Sequence, residues 1–214
     1  MCIRDSNYMA HSDEAEKYSA AAFATKHEDA IYFSKRVTRA VPDGGPIEAH
    51  TDLVKKLDYE CELAVVLGRD ARDVPAGQTR DYIFGYTILN DVSARDVQTA
   101  HKQWYFGKSL DGFTPIGPCI VTADAFADYP PRLGIRSFVN GEKRQDSNTA
   151  LQIFDIDHVI AELSQGMTLK AGTIIATGTP AGVGMGMDPP QFLKPGDVVR
   201  CEIDGIGTLT NAVK

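Results

Sequence analysis

Asp58-Tyr59-Glu60-Cys61-Glu62-Leu63-Ala64-Val65-Val66-Leu67-Gly68 reads as a strand. Its Val and Leu content suits a pleated, buried surface. Successive side chains of a strand point to opposite faces. Cys61, Leu63, Val65 and Leu67 therefore share one face, which belongs to the core. Glu60 and Glu62 share the other face. Two carboxylates side by side at the head of an apolar strand repel one another, and solvent or a cation must relieve that. A second apolar run, Tyr86-Thr87-Ile88-Leu89-Asn90, leads into a third acid, Asp91. If the two strands pair, Asp91 reaches the same point as the glutamates.

Three carboxylates with no Cys or His donor pattern beside them suit a hard cation: Mg²⁺, Mn²⁺ or Ca²⁺. Mg²⁺ comes first, because it commonly keeps positions open for water and substrate. Spacing alone describes a solvated strand end with unrelated acids at least as well.

Outward from this pair the texture stays β. Strand candidates lie at 82–89, 117–122 and 173–176. Asn140-Gly141 and Asp204-Gly205 each sit between strand-like runs, a strong hairpin signal, and the second joins 198–203 to 206–213. Ile156, Val159, Ile160 and Leu163 follow the i, i+3, i+4, i+7 helical spacing, with Asp155 to cap the start and Gly166 the end. The Ala-rich stretch 13–25 reads as a helix, and a shorter helix is expected around 94–104. Strands and helices do not alternate regularly, which argues against a doubly wound parallel sheet. The expectation is one α+β domain, mainly β.

The chain has 214 residues, 43% hydrophobic and 24% charged, with a net charge of -7. That is an ordinary globular balance with enough length for a sizeable core. The acidic balance excludes a basic nucleic-acid footprint, and no Lys/Arg block addresses a membrane surface. No run of 18 apolar residues exists to form a transmembrane helix. Cys2, Cys61, Cys119 and Cys201 form no CxxC pair, and no secretory signal is read at the start. Reduced, mostly buried thiols in a cytoplasmic protein are expected. Residues 1–6 (Met-Cys-Ile-Arg-Asp-Ser) match nothing in the pattern that follows and read as a non-native scar, with the domain proper at 7–214.

Three further stretches carry chemistry-bearing residues. In Asn7-Tyr8-Met9-Ala10-His11-Ser12-Asp13-Glu14, His11 and Glu14 stand at i, i+3, where a carboxylate can orient an imidazole as a general base. Surface polar residues explain that pattern equally. Lys108 follows Trp104-Tyr105-Phe106-Gly107, an aromatic cluster that could hold it against an anion, although a surface lysine burying its stem is the plainer reading. Thr177-Gly178-Thr179-Pro180-Ala181-Gly182-Val183-Gly184 offers backbone N–H groups and hydroxyls to a carboxylate. It leads into Asp188-Pro189-Pro190, not a helix, so it is no dinucleotide fingerprint, and a plain surface loop describes it equally.

Taken in order, these segments resemble the fumarylacetoacetate hydrolase family. The resemblance rests on Asn7-Tyr8-x-x-His11-x-x-Glu14 and Glu60-x-Glu62-Leu63. It continues through the stretch from Gly85 to Gln98 that contains Asn90-Asp91-Val92-Ser93-Ala94-Arg95-Asp96. Gly107-Lys108-Ser109, Pro115-x-Gly117-Pro118 and Thr177-Gly178-Thr179-Pro180-x-Gly182-Val183-Gly184 complete it. Each piece is weak alone; six in the family's order are specific.

The resemblance implies a mixed β-sandwich roll with few short helices, usually a homodimer. It implies a divalent metal, typically Mg²⁺, held by Glu60, Glu62 and Asp91, and a catalytic His11–Glu14 pair on a lid. Lys108 would act in catalysis. Lys35, Arg95, Gln98, Gly178 and Thr179 would hold the substrate, although the family usually has Lys-Pro where this chain has Lys35-Arg36. Family members often carry an N-terminal subdomain before the Asn-Tyr motif, and here that part is expected to be missing. The activity implied is hydrolysis or decarboxylation of acylpyruvate- or oxaloacetate-type 2-oxo acids through a metal-stabilised enolate. The alternatives are an isomerase of unsaturated 2-hydroxy dioates, an oxaloacetate tautomerase, and a non-catalytic metal- or ligand-binding domain.

Overall fold

Apolar residues at alternate positions of the quoted stretch bring two sheets face to face. The computed structural model describes residues 2–3, 7–20, 29–101 and 103–214, and for 2–3 the backbone alone. One sheet has six strands in the order β2 (Phe33–Ser34), β1 (Cys2–Ile3), β11 (Ile174–Ala176), β5 (Cys61–Leu67), β6 (Ile83–Asn90) and β8 (Ile116–Thr122). The other has five, in the order β10 (Glu142–Asn148), β9 (Gly134–Val139), β12 (Val198–Ile203), β13 (Gly207–Val213) and β3 (Pro46–Ile47). A two-stranded ribbon pairs β4 (Leu57–Asp58) with β7 (Ser93–Ala94). β1 runs parallel to β11 and β13 parallel to β3; the other pairs are antiparallel. This is the expected mixed β-sandwich roll.

Cys61, Leu63, Val65 and Leu67 do face the core. They join Ile135 and Val139 of β9 and Val199, Cys201 and Ile203 of β12 in one buried cluster. The opposite face of β5 is also covered, with Ala64 in a smaller cluster beside Leu89 and Ala176. β5 pairs with β6 in the register Cys61↔Asn90 to Val65↔Tyr86. That register carries Asp91 back to Glu60, whose carbonyl accepts from the Asp91 N–H at 2.8 Å.

The quoted stretch is not one strand. It breaks at Tyr59 and Glu60 into β4 and β5. The Asp58 carboxylate accepts from the Tyr59 N–H, and the Asn90 side chain accepts from the Glu60 N–H. Both backbone donors are thereby diverted from a ladder, the usual effect of Asp and Asn near a strand end.

Helices are few and short: α1 (Met9–Tyr18), α2 (Arg95–Ala100), α3 (Tyr105–Lys108) and α4 (Ile156–Leu163) among the described residues. α4 is as expected, with the Asp155 side chain accepting from the His158 N–H at 2.8 Å. It ends before Gly166, which turns the chain at φ +68 with its N–H on Asp73. The helix expected at 94–104 is shorter, α2 at Arg95–Ala100, and α3 begins just beyond that range. The one expected at 13–25 begins earlier, at Met9, and stops at Tyr18, while its 21–25 part lies outside the described residues. Both hairpins form. Asn140 and Gly141 take φ +52 and +85 between β9 and β10, which a two-residue primed turn requires.

Candidate active site

The three acids meet at the head of β5. Glu60, Glu62 and Asp91 are fully buried, and each offers an oxygen within 4.8 Å of the others. Solvent therefore does not relieve their repulsion; cations do. Lys108 Nζ donates to Glu60 Oε2 at 2.7 Å and to Asp91 Oδ2 at 2.9 Å. The Arg95 guanidinium lies 2.7 Å from Glu60 Oε1, donates through Nε to Asp58 Oδ2 at 2.9 Å, and reaches Gln98 Oε1 at 3.1 Å. Lys35 donates to Asp91 Oδ1 and to the Phe113 carbonyl. Burial pushes the Lys35 ammonium below its usual pKa, and Asp91 beside it works the other way. Three carboxylates (Asp58, Glu60, Asp91) and three cations (Lys35, Arg95, Lys108) are thus joined in one buried network, with the buried Glu62 beside it.

Lys108 is not a surface lysine. It is fully buried at the end of α3, with Nζ 5.7 Å from the centre of the Phe33 ring, which in turn meets Trp104 edge-on. Of its sequence neighbours, Tyr105 and Phe106 are exposed. The aromatic cover comes chiefly from β2.

The stretch 177–184 is no surface loop. Thr177 donates to the Leu63 carbonyl through both N–H and Oγ1, at 3.0 and 2.9 Å. The Gly178 N–H donates to Glu62 Oε2 at 2.7 Å, and Thr179 Oγ1 to the Cys61 carbonyl at 2.9 Å. β11 stops at Ala176, and this loop continues its contacts along β5. The Gly178 N–H and the Thr179 hydroxyl are thereby directed at the ligand-bearing strand.

His11 and Glu14 lie on α1, with Nδ1 3.4 Å from Glu14 Oε2. The Glu14 carboxylate also accepts from the Gly182 N–H at 2.9 and 3.1 Å. Ala15 packs on Val183 and Met185. Asn7, fully buried, fixes the entry to the helix by donating to the Phe154 and Thr177 carbonyls and accepting from the Phe154 N–H. The Tyr59 hydroxyl donates to the Gly182 carbonyl at 2.8 Å, and burial pushes that phenol up.

Two residues of this region escape a reading of the sequence. Asp58 accepts from the Gly184 and Met185 N–H groups as well as from Arg95, so it ties the guanidinium to the turn beneath α1. Its place in the quoted stretch marks it only as a strand residue, which it is, and not as a partner of Arg95. Gln145 lies in Glu142-Lys143-Arg144-Gln145-Asp146-Ser147-Asn148, which has the composition of a solvated strand. No signal in that run marks one position as buried.

The donor set fits a hard divalent cation. It supplies carboxylate oxygens from three residues, no sulfur and no imidazole, and their span is one that a single ion bridges.

The sequence profile described as fumarylacetoacetate (FAA) hydrolase C-terminal matches residues 2–214. A fumarylacetoacetate hydrolase from Exiguobacterium antarcticum superposes with a TM-score of 0.89 at 46% identity, covering 100% of this chain and 74% of that one. A 2-hydroxyhepta-2,4-diene-1,7-dioate isomerase from Mycobacterium marinum gives 0.81 at 38% identity, covering 99% and 73%. Oxaloacetate tautomerase YisK of Bacillus subtilis is 43% identical over 95% of this chain and 66% of its own length. The chain belongs to the fumarylacetoacetate hydrolase family. It spans 60–66% of the length of the curated relatives it matches. Among the described residues no helix is long and apolar enough to cross a membrane.

Proposed function

We propose that this chain carries the active site of a divalent-metal enzyme acting on small 2-oxo and enol acids through an enolate. The convergence of Glu60, Glu62 and Asp91 with Lys108 is the observation that carries the reading. Mg²⁺ is the proposed ion; bound there, it would draw negative charge from a 2-oxo or enol oxygen. The chain's own groups supply the rest. Lys108 places an ammonium where enolate charge develops, and such prearranged charge commonly contributes the largest share of a lowered barrier. Arg95 and Gln98 orient the substrate's oxygens beside Glu60. His11, held by Glu14, accepts and returns a proton. Burial of the whole cluster keeps the effective dielectric low, so each charge acts strongly.

Two outcomes share this enolate. Reprotonation at another atom gives a tautomerase or isomerase, and the names of the Bacillus and Mycobacterium marinum relatives favour it. Attack of water on a distal carbonyl, or loss of CO₂, gives a hydrolase or decarboxylase. The His11–Glu14 pair and the Exiguobacterium relative favour hydrolysis. The test uses chelator-stripped protein with and without Mg²⁺. Oxaloacetate enol is followed by its ultraviolet absorbance, and acetylpyruvate by release of pyruvate. Metal-dependent loss of enol without pyruvate release is the expected result for a tautomerase. Metal-dependent pyruvate release would establish the hydrolase. Mg²⁺ binding without turnover of either compound would favour a binding domain. A homodimer in the cytoplasm completes the proposal, and sedimentation equilibrium measures the association.

A further inference from the structure

Behind the acids, on the inner face of the second sheet, sits a fully buried glutamine. β10 reaches this point through a bulge. Lys143 pairs with Phe138, and the next pair is Gln145↔Ser137, so Arg144 is the extra residue. A bulge re-aims the side chains that follow it. Here it places a neutral amide, rather than the Arg144 guanidinium, opposite Ser137 and facing β5.

All four hydrogen-bonding positions of that amide are used. Gln145 Oε1 accepts from the Cys61 N–H at 3.1 Å and from Ser137 Oγ at 2.8 Å. Nε2 donates to Thr179 Oγ1 at 2.7 Å and to the Pro180 carbonyl at 2.7 Å. The reverse orientation would set –NH₂ against the Cys61 N–H and C=O against the Pro180 carbonyl, so the contacts fix one orientation. A carboxylate in its place would face the Pro180 carbonyl without a proton.

The partners give the contact its meaning. Cys61 lies between Glu60 and Glu62. Its N–H belongs to the peptide that follows Glu60, and its carbonyl to the peptide that precedes Glu62. Gln145 holds the first, and Thr179, itself held by Gln145, holds the second. β11 has already ended at Ala176 and offers no ladder here. An amide and a hydroxyl therefore complete the edge of β5 where the ligands leave it.

We infer that Gln145 is a positioning residue for the metal centre: it sets the two peptides that aim Glu60 and Glu62 and locks them to the Thr179 loop. The inference rests on the proposed metal site. Partners of this kind typically change metal affinity about 10–100-fold when removed.

The test is calorimetric titration of Mg²⁺ alone into chelator-stripped protein. Gln145→Met keeps the side chain's length and removes all four hydrogen bonds. Thr149→Val removes a buried hydroxyl that bridges Pro131 and Leu133 and bonds neither the acids nor Gln145, and serves as a control for general loss of stability. The expected result is a Kd for Mg²⁺ raised about 10–100-fold in Gln145→Met and unchanged in Thr149→Val, although both lower Tm. If Gln145→Met does not fold, Thr179→Val, which keeps shape and removes the shared hydroxyl, is expected to raise Kd in the same way. Equal Kd in wild type and variant would overturn the role of Gln145 and leave the metal site standing. No Mg²⁺ binding by the wild type would overturn the metal site, and this inference with it.

Discussion

Asp91, like Glu60, holds two of the buried cations. Lys35 approaches one of its oxygens and Lys108 the other, and none of the three is exposed. Removing one member of a buried ion pair leaves its partner uncompensated, at a cost of about 3–5 kcal/mol. Asp91→Asn is therefore expected to lose about that much stability, measured by urea unfolding in chelator, and to lose Mg²⁺ binding as well. A variant as stable as wild type would mean that the lysines are neutral or find other partners. The acids were legible at this scale because two-residue spacing on a strand dictates a shared face. Their counter-charges were less so. Nothing in the spacing of Arg95 or Lys108 announces full burial: only resemblance to a family singled out Arg95, and the aromatic neighbours of Lys108 left a surface lysine as its plainer reading. Gln145 was not legible at all, because its burial depends on a bulge that Glu142-Lys143-Arg144 does not encode in any recognisable way.

At the scale of elements, α1 packs on the turn at 182–185, and two glycines beneath it do different work. Gly182 takes φ +103, and a Cβ there would lie 2.0 Å from the Arg144 carbonyl oxygen. Backbone strain and a clash with backbone coincide, so Gly182→Ala should destabilise the chain by about 3 kcal/mol, read from chemical denaturation. Gly186 has no such strain. Its Cβ would meet the Glu14 carboxyl, 2.5 Å from Cδ, at the free end of a flexible side chain. Gly186→Ala should thus cost less than Gly182→Ala, about 1–2 kcal/mol. It should nonetheless push Glu14 off the Gly182 N–H and away from His11. The His11-dependent proton transfer is then expected to slow on the order of tenfold, part of the ~10²–10⁴-fold that acid–base catalysis supplies. An unchanged turnover rate in Gly186→Ala would show that the docked position of Glu14 is immaterial to the chemistry. Elements with local signals were readable: α4 carries its own cap and periodicity, and the 140–141 hairpin its own turn residues. The break between β4 and β5 was not, because the Asn90 side chain that captures the Glu60 N–H comes from another strand.

For the whole molecule, the balance of charge around the acids sets an expectation for stability. Four buried carboxylates outnumber the three buried cations around them. A dication held by Glu60, Glu62 and Asp91 would add positive charge to that cluster, which suits an anionic substrate. Because Glu62 lies on β5, Glu60 just before it and Asp91 just after β6, a bound ion would tie together two neighbouring strands of the six-stranded sheet. The unfolded chain has no such cluster, so binding free energy adds to folding free energy. At a hundred times its Kd, Mg²⁺ should stabilise the fold by about 2.7 kcal/mol. For a chain of this length that corresponds to a rise in Tm of roughly 5–10 °C. Differential scanning calorimetry in chelator and in excess Mg²⁺ measures the difference directly. Glu60→Gln should abolish the rise, since it removes a ligand. Na⁺ at matched ionic strength should not reproduce it, since screening acts weakly on fully buried charges. A wild-type Tm unmoved by Mg²⁺ would mean that the three lysine and arginine counter-charges already satisfy the acids, and would count against an ion at this centre.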